Sequence, residues 1–196
     1  MANEEFKALL DLLAGLFFDW RTGVVMLLLI VAAISDYRTR RIPNWLVLSG
    51  AIYGVIYNIM WPPTPHDNYL FPLTGLALGL LIFLPLYLLR AMGAGDVKLL
   101  AMVGAFLGPW DTFCAALSTM IVGGVLAILF VLARGKAMVM FRNLTSVLQL
   151  GFLSAATGST PDFQITPQAS AGKLPYGIAI AAGTIGYLVL HRLSFL

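Results

Sequence analysis

Two aspartates carry the reactive chemistry this chain offers. Asp36 closes the apolar run that ends Ile34-Ser35-Asp36. Asp96 follows a glycine hinge, Gly93-Ala94-Gly95, where one apolar stretch stops and another begins. A carboxylate kept at the end of a membrane helix is costly, and such residues are usually functional. Two carboxylates held close together cannot both ionise, so they share a proton. The ionised member can then draw a proton from water while the protonated member polarises an amide carbonyl. The outcome is hydrolysis of a peptide bond without a covalent intermediate. Gly93 and Gly95 suit that task, because glycine tolerates unusual backbone angles and lets an extended strand approach the main chain. Plainer readings exist for the same residues: Asp96 can cap the helix it opens, and either carboxylate can belong to an ion pathway. No Ser-His-Asp set falls at one depth, since the two histidines lie at the other ends of the apolar runs.

The elements that must position these residues are membrane helices. Of 196 residues, 60% are hydrophobic and 11% are charged, too little charge for an ordinary soluble domain. Long apolar runs alternate with short polar breaks, the pattern of a multi-span helical protein. The net charge of +3 does not point to nucleic acid, because the basic residues sit at the ends of apolar runs and read as orientation signals. The single cysteine, Cys114, lies in an apolar stretch and reads as a small buried side chain; alone it excludes an internal disulfide and a cysteine-based zinc site. No metal and no cofactor are expected.

Six spans are expected within one membrane domain covering residues 1–196. Residues 1–20 carry Phe6, Leu9, Leu13 and Phe17 at helical spacing and suit an interfacial amphipathic helix; with Glu4, Glu5 and Asp11 they do not resemble a signal peptide. The first span, 22–35, is short: about 15 residues reach roughly 22 Å. Pro43 stops the local helix, and Asn44 is a good N-cap for the second span, 44–60. A turn-rich loop over 61–68 without lysine or arginine leads to the third span, 69–89. The fourth, 97–107, stops at Gly108-Pro109; the fifth runs over 112–133. Residues 137–172 read as a cytoplasmic segment, amphipathic and then flexible, before a last span from 173 to 190.

In this arrangement Arg38, Arg40, Arg41, Arg90, Lys98, Arg134, Lys136, Arg142 and Lys173 share one side, nine of the twelve basic residues. The positive-inside rule makes that side cytoplasmic and puts both termini outside. Asp36 and Asp96 then fall at the same, cytoplasmic boundary. Their helix dipoles differ, with Asp36 at a C-terminal end and Asp96 at an N-terminal one, which favours Asp36 as holder of the resting proton, while Arg38, Arg40 and Arg41 oppose it and leave the choice open.

Three stretches together resemble the type IV prepilin peptidase family: Ser-Asp-Tyr-Arg-Thr-Arg-Arg-Ile-Pro-Asn at 35–44, Gly-Ala-Gly-Asp-Val-Lys at 93–98, and Leu-Pro-Tyr-Gly-Ile-Ala-Ile-Ala-Ala-Gly at 174–183. The resemblance implies a GxGD aspartyl peptidase in the cytoplasmic (inner) membrane. Such enzymes cut the short leader from prepilins or pseudopilins at the cytoplasmic face. It makes Asp36 and Asp96 the catalytic pair, with Gly93, Gly95, Lys98, Pro43 and Asn44 supporting the site or the substrate. Lys98 is not expected to pair directly with Asp96, because positions i and i+2 diverge on a helix. Long members of the family carry a cytoplasmic insertion with paired cysteines and an N-methyltransferase activity. Here only a few residues separate Asp36 from the second span, so the chain looks like the short branch serving tight-adherence (Flp-type) pili, or like an archaeal prepilin or preflagellin peptidase, without methyltransferase activity. Membrane lipid is an implied partner and nucleic acid is not; oligomeric state is left open. Two other classes remain in view: a transporter or channel subunit with proton-relaying aspartates, and a GxGD protease of the presenilin or signal-peptide-peptidase kind. The latter expects its first aspartate inside a longer span with no basic Ile-Pro-Asn segment after it.

Overall fold

The computed structural model describes residues 20–63, 69–89, 92–133 and 176–193. All regular structure among them is helical: α1 Trp20–Thr39, α2 Asn44–Met60, α3 Leu70–Leu88, α4 Ala94–Leu107, α5 Pro109–Ala133 and α6 Tyr176–Leu193. Residues 1–123 with 175–196 form one compact unit and 124–174 another, of which 124–133, the end of α5, are described. The expected interfacial helix at 1–20 and the cytoplasmic segment at 137–172 lie essentially outside the described residues.

The first unit is built around α4. Apart from Lys98, every residue of that helix from Asp96 to Leu107 is buried. A helix apolar on all sides must be enclosed by others, and α4 packs against α1, α2, α3 and α6. Small residues make this possible. A Cβ on Gly75 of α3 would stand 2.1 Å from the Gly104 carbonyl oxygen of α4, and one on Gly79 would stand 2.5 Å from that of Leu100. The two backbones therefore touch, as glycines spaced four apart allow in membrane helices. On α2, Gly50 and Gly54 make room for Met102 and Phe106. One turn further, the buried Asn58 amide donates to the carbonyls of Ala105 (2.9 Å) and Phe106 (3.1 Å), tying α2 to the end of α4.

On α1 the buried positions are Thr22, Val25, Met26, Leu29, Ala32 and Asp36. They recur every three or four residues, so Asp36 continues the apolar stripe that faces the core. The helix runs on to Thr39, where the Thr39 hydroxyl donates back to Ser35 O (2.8 Å) and the Ser35 hydroxyl donates to Arg41 O (3.0 Å). Arg40 ends it in the left-handed region, φ 53°, with its N–H on Asp36 O (2.9 Å). The opposite, outward faces are apolar and exposed, among them Leu27 and Ile34 on α1 and Leu48, Ile52 and Ile56 on α2. Such surfaces belong in lipid.

Several expectations change. Asp36 lies within the last turn of α1, which is longer than the 22–35 read from hydropathy. Asn44 is the first residue of α2; Pro43 occupies the N-cap and no side chain caps that end. Among the described residues, four helices are long and apolar enough to cross a membrane: α1, α3, Pro109–Phe130 of α5, and α6. The expected six spans are thus met only in part. α2 has 17 residues, and α4 has 14, about 21 Å at ~1.5 Å per residue, well below a ~30 Å hydrocarbon core. A helix wrapped by protein does not need to span lipid by itself, and that is the condition of α4.

Candidate active site

Both aspartates are buried, with 7% of Asp36 and 9% of Asp96 exposed. They come from α1 and α4, which pack against each other, and their carboxylates are near enough to interact electrostatically. The sequence separation of 60 residues (96 − 36) is closed because α1 ends and α4 begins at the same end of the unit.

Each carboxylate is held by the backbone N–H of a glycine. Gly93 N donates to Asp96 Oδ2 at 3.0 Å, and Asp96 N donates to Gly93 O at 3.2 Å, which closes the first turn of α4. Asp96 therefore does act on its own helix end, as the plainer reading held. Among the described residues that contact engages Oδ2. Gly177, the second residue of α6, donates to Asp36 Oδ2 at 2.8 Å. A Cβ at Gly177 would lie 2.9 Å from that oxygen, so the approach requires glycine. The two donors fix one oxygen of each acid from two different elements. A water and an amide carbonyl placed between the remaining oxygens would meet the base and the acid that peptide hydrolysis needs.

Gly177 was not singled out by reading the sequence for chemistry. Its signal was present in Leu174-Pro175-Tyr176-Gly177, but a glycine at a helix start reads first as a turn residue, and only packing of α6 on α1 brings it to Asp36. The same contact removes the dipole argument separating the two acids. Asp36 lies at the C-terminal end of its own helix, yet its carboxylate faces the N-terminal turn of α6, so both acids meet a helix N-terminus.

The supporting residues sort differently from expectation. Gly93 has φ −82° and ψ 155°, and among the described residues the positive-φ glycine is Gly108, so neither Gly93 nor Gly95 is there for an unusual backbone angle. Closeness is the reason instead: a Cβ on Gly93 would sit 3.3 Å from Asp96 Oδ2, and one on Gly95 would sit 3.3 Å from Ile42 Cβ. Lys98 is exposed and its Nζ donates to Asn44 Oδ1 at 3.2 Å, joining α4 to the start of α2 beside the site. Pro43 sets the extended N-cap from which α2 departs. Arg40, near enough to act on the Asp36 carboxylate, supplies positive charge at this end.

No match was found among curated proteins or among solved structures. The model of the type IV leader peptidase family matches residues 23–128, more than half of the chain, from the start of α1 through both aspartates and most of α5. A multi-helix chain with an apolar exterior, enclosing two neighbouring buried carboxylates within that matched region, belongs to the type IV leader peptidase family.

Proposed function

We propose that this peptidase uses Asp36 and Asp96 as its catalytic pair, cleaving the leader of type IV (Flp-like) prepilins or pseudopilins at the cytoplasmic face of the inner membrane. The observation that carries the reading is the meeting of two buried aspartates, each with one oxygen held by a glycine N–H and the two close enough to interact. One acid holds the shared proton and donates it toward the scissile carbonyl oxygen. The other takes a proton from the attacking water. The tetrahedral intermediate then collapses as the leaving amine is protonated.

The substrate reading follows from placement. The acids lie where Arg38, Arg40, Arg41 and Lys98 mark the cytoplasmic boundary under the positive-inside rule. A substrate would present its leader from the cytoplasm and its apolar helix from the lipid. A basic leader is held by anionic lipid rather than by this equally basic face of the enzyme. No cytoplasmic cysteine pair is available for the insertion that accompanies methyl transfer in long family members, so the activity is peptidase alone.

The purified full chain, given a prepilin with its leader, should release a product whose new N-terminus follows the leader's terminal glycine, read by N-terminal sequencing. Intact prepilin after prolonged incubation with folded enzyme would overturn the proposal. With S-adenosylmethionine added, the mature product should keep its unmethylated mass; a product one methyl heavier would refute the peptidase-only reading.

A further inference from the structure

Between α1 and α2 the chain makes a short turn, residues 40–43, that is fastened to the helix carrying Asp36. Arg40 enters it at φ 53°, a backbone region that residues with side chains seldom adopt. The next peptide is strapped down. The Ser35 hydroxyl donates to Arg41 O (3.0 Å), and the single proton of the Thr39 hydroxyl serves Ser35 O at 2.8 Å or Arg41 O at 3.1 Å. Ser35 is the chain neighbour of Asp36, so the strap starts from the turn that carries the acid. With the Arg41 carbonyl held, Ile42 enters the core, and Pro43 follows with φ −63° and ψ 129° to start α2.

Ile42 meets Gly95, the residue before Asp96. A Cβ on Gly95 would stand 3.3 Å from Ile42 Cβ and 3.7 Å from its Cγ1 and Cδ1, so the isoleucine lies against the bare backbone of the glycine hinge. The two glycine N–H bonds do not bridge the acids: Gly93 ties Asp96 to its own helix, and Gly177 ties Asp36 to α6. Ile42 does bridge them, following Asp36 by six residues (42 − 36) and touching the neighbour of Asp96. Its β-branched side chain is stiff at χ1, which suits a spacer.

We infer that Ile42, held by the strap from Ser35 and Thr39, is a positioning residue for proteolysis that sets the spacing between Asp36 and Asp96. The inference rests on the reading of those aspartates as the catalytic pair. A water and a carbonyl between two acids tolerate little change in that spacing, since a misplacement of ~1 Å costs about 10²-fold in rate. An isoleucine that only filled the core would lower stability and leave kcat of the folded enzyme alone.

Full-length variants would be assayed on a prepilin in detergent micelles, with kcat and KM separated and unfolding followed in parallel. Ile42→Ala should lower kcat of the folded enzyme at least ~10-fold with KM unchanged. Ile42→Val keeps the branched Cβ at the contact and should stay within about threefold of wild type. Gly95→Ala presses on the same contact from the other side. Its loss should not multiply with that of Ile42→Ala in the double variant, because one substitution returns the space the other takes. Since Ile42→Ala can fail to fold, Ser35→Ala with Thr39→Val is the companion: neither residue belongs to the core, and losing the strap should still lower kcat severalfold. Ile42→Ala keeping more than about half of wild-type kcat, a loss confined to KM, losses that multiply in the double variant, or unchanged kcat in the strap variant would each overturn the inference. Prepilin left uncut by wild type, or cut by Asp36→Asn, would instead defeat the catalytic-pair reading beneath it.

Discussion

Replacing Gly177 by alanine isolates the contact between α6 and Asp36. The added Cβ would stand 2.9 Å from Asp36 Oδ2, 3.0 Å from its Cβ and 3.2 Å from its Cγ. Comfortable contacts between such atoms begin at about 3.5 Å, so the carboxylate or the helix must retreat by roughly 0.5 Å. The Gly177 N–H to Asp36 bond, now 2.8 Å, then stretches past the ~3.2 Å limit of a useful hydrogen bond. A hydrogen bond to a charged group contributes ~1.5–3 kcal/mol, and each ~1.4 kcal/mol in the barrier is a factor of ten. A displaced catalytic group costs about 10²-fold by the same reasoning. Gly177→Ala should therefore lower kcat for prepilin cleavage by about 10²-fold. Stability should change little, because overpacking of ~1–3 kcal/mol is partly offset by ~1 kcal/mol of helix propensity. Gly186→Ala on the same helix is the control: nothing lies within 4 Å of its Cβ position, so activity should match wild type. Cleavage would be timed in detergent micelles at saturating prepilin, with unfolding followed in parallel. Gly177→Ala retaining more than half of wild-type kcat would refute the view that this N–H positions the acid.

Asp36→Asn and Asp96→Asn should each reduce cleavage at least ~10³-fold with the helical circular dichroism unchanged, since an amide can neither take the water's proton nor supply the shared one; turnover by either above about a tenth of wild type would sink the pair as the catalytic unit. Gly104→Val should be among the most damaging packing changes, because even a Cβ would lie 2.1 Å from Gly75 O, 2.5 Å from Gly75 C and 3.0 Å from Leu76 N, all of them backbone; a loss of several kcal/mol in unfolding titrations is expected, and under ~1 kcal/mol would contradict the contact. Lys98→Met and Asn44→Ala should each cost less than ~1.5 kcal/mol, and their effects should be non-additive in a double-mutant cycle, as they remove the same hydrogen bond; fully additive losses would show that Lys98 acts elsewhere.

Composition and periodicity were enough to make this a helical membrane chain, because burial in lipid demands apolar runs that no soluble fold needs. Both aspartates were legible for a related reason: a carboxylate in such a run stands out against its surroundings. Element limits were less so. Hydropathy ended the first span at 35, since a charge looks like a boundary, whereas a carboxylate taking a backbone N–H can lie inside the last turn, and α1 continues to Thr39. Hydropathy also counted 97–107 as a span, though an apolar helix wrapped by protein and one wrapped by lipid have the same composition. Lys98 and Asn44 appeared as separate supporting residues; only the packing of α4 beside α2 makes them partners. Gly177 stood in the sequence within the 174–183 motif, but its role did not. Its contribution is a backbone N–H, which every residue but proline possesses, and its glycine identity matters because a side chain 141 positions away fills the space a Cβ would take. Local sequence determines which residues are apolar, charged or small; which backbone donor meets which carboxylate is decided by helices that touch only after the chain has folded.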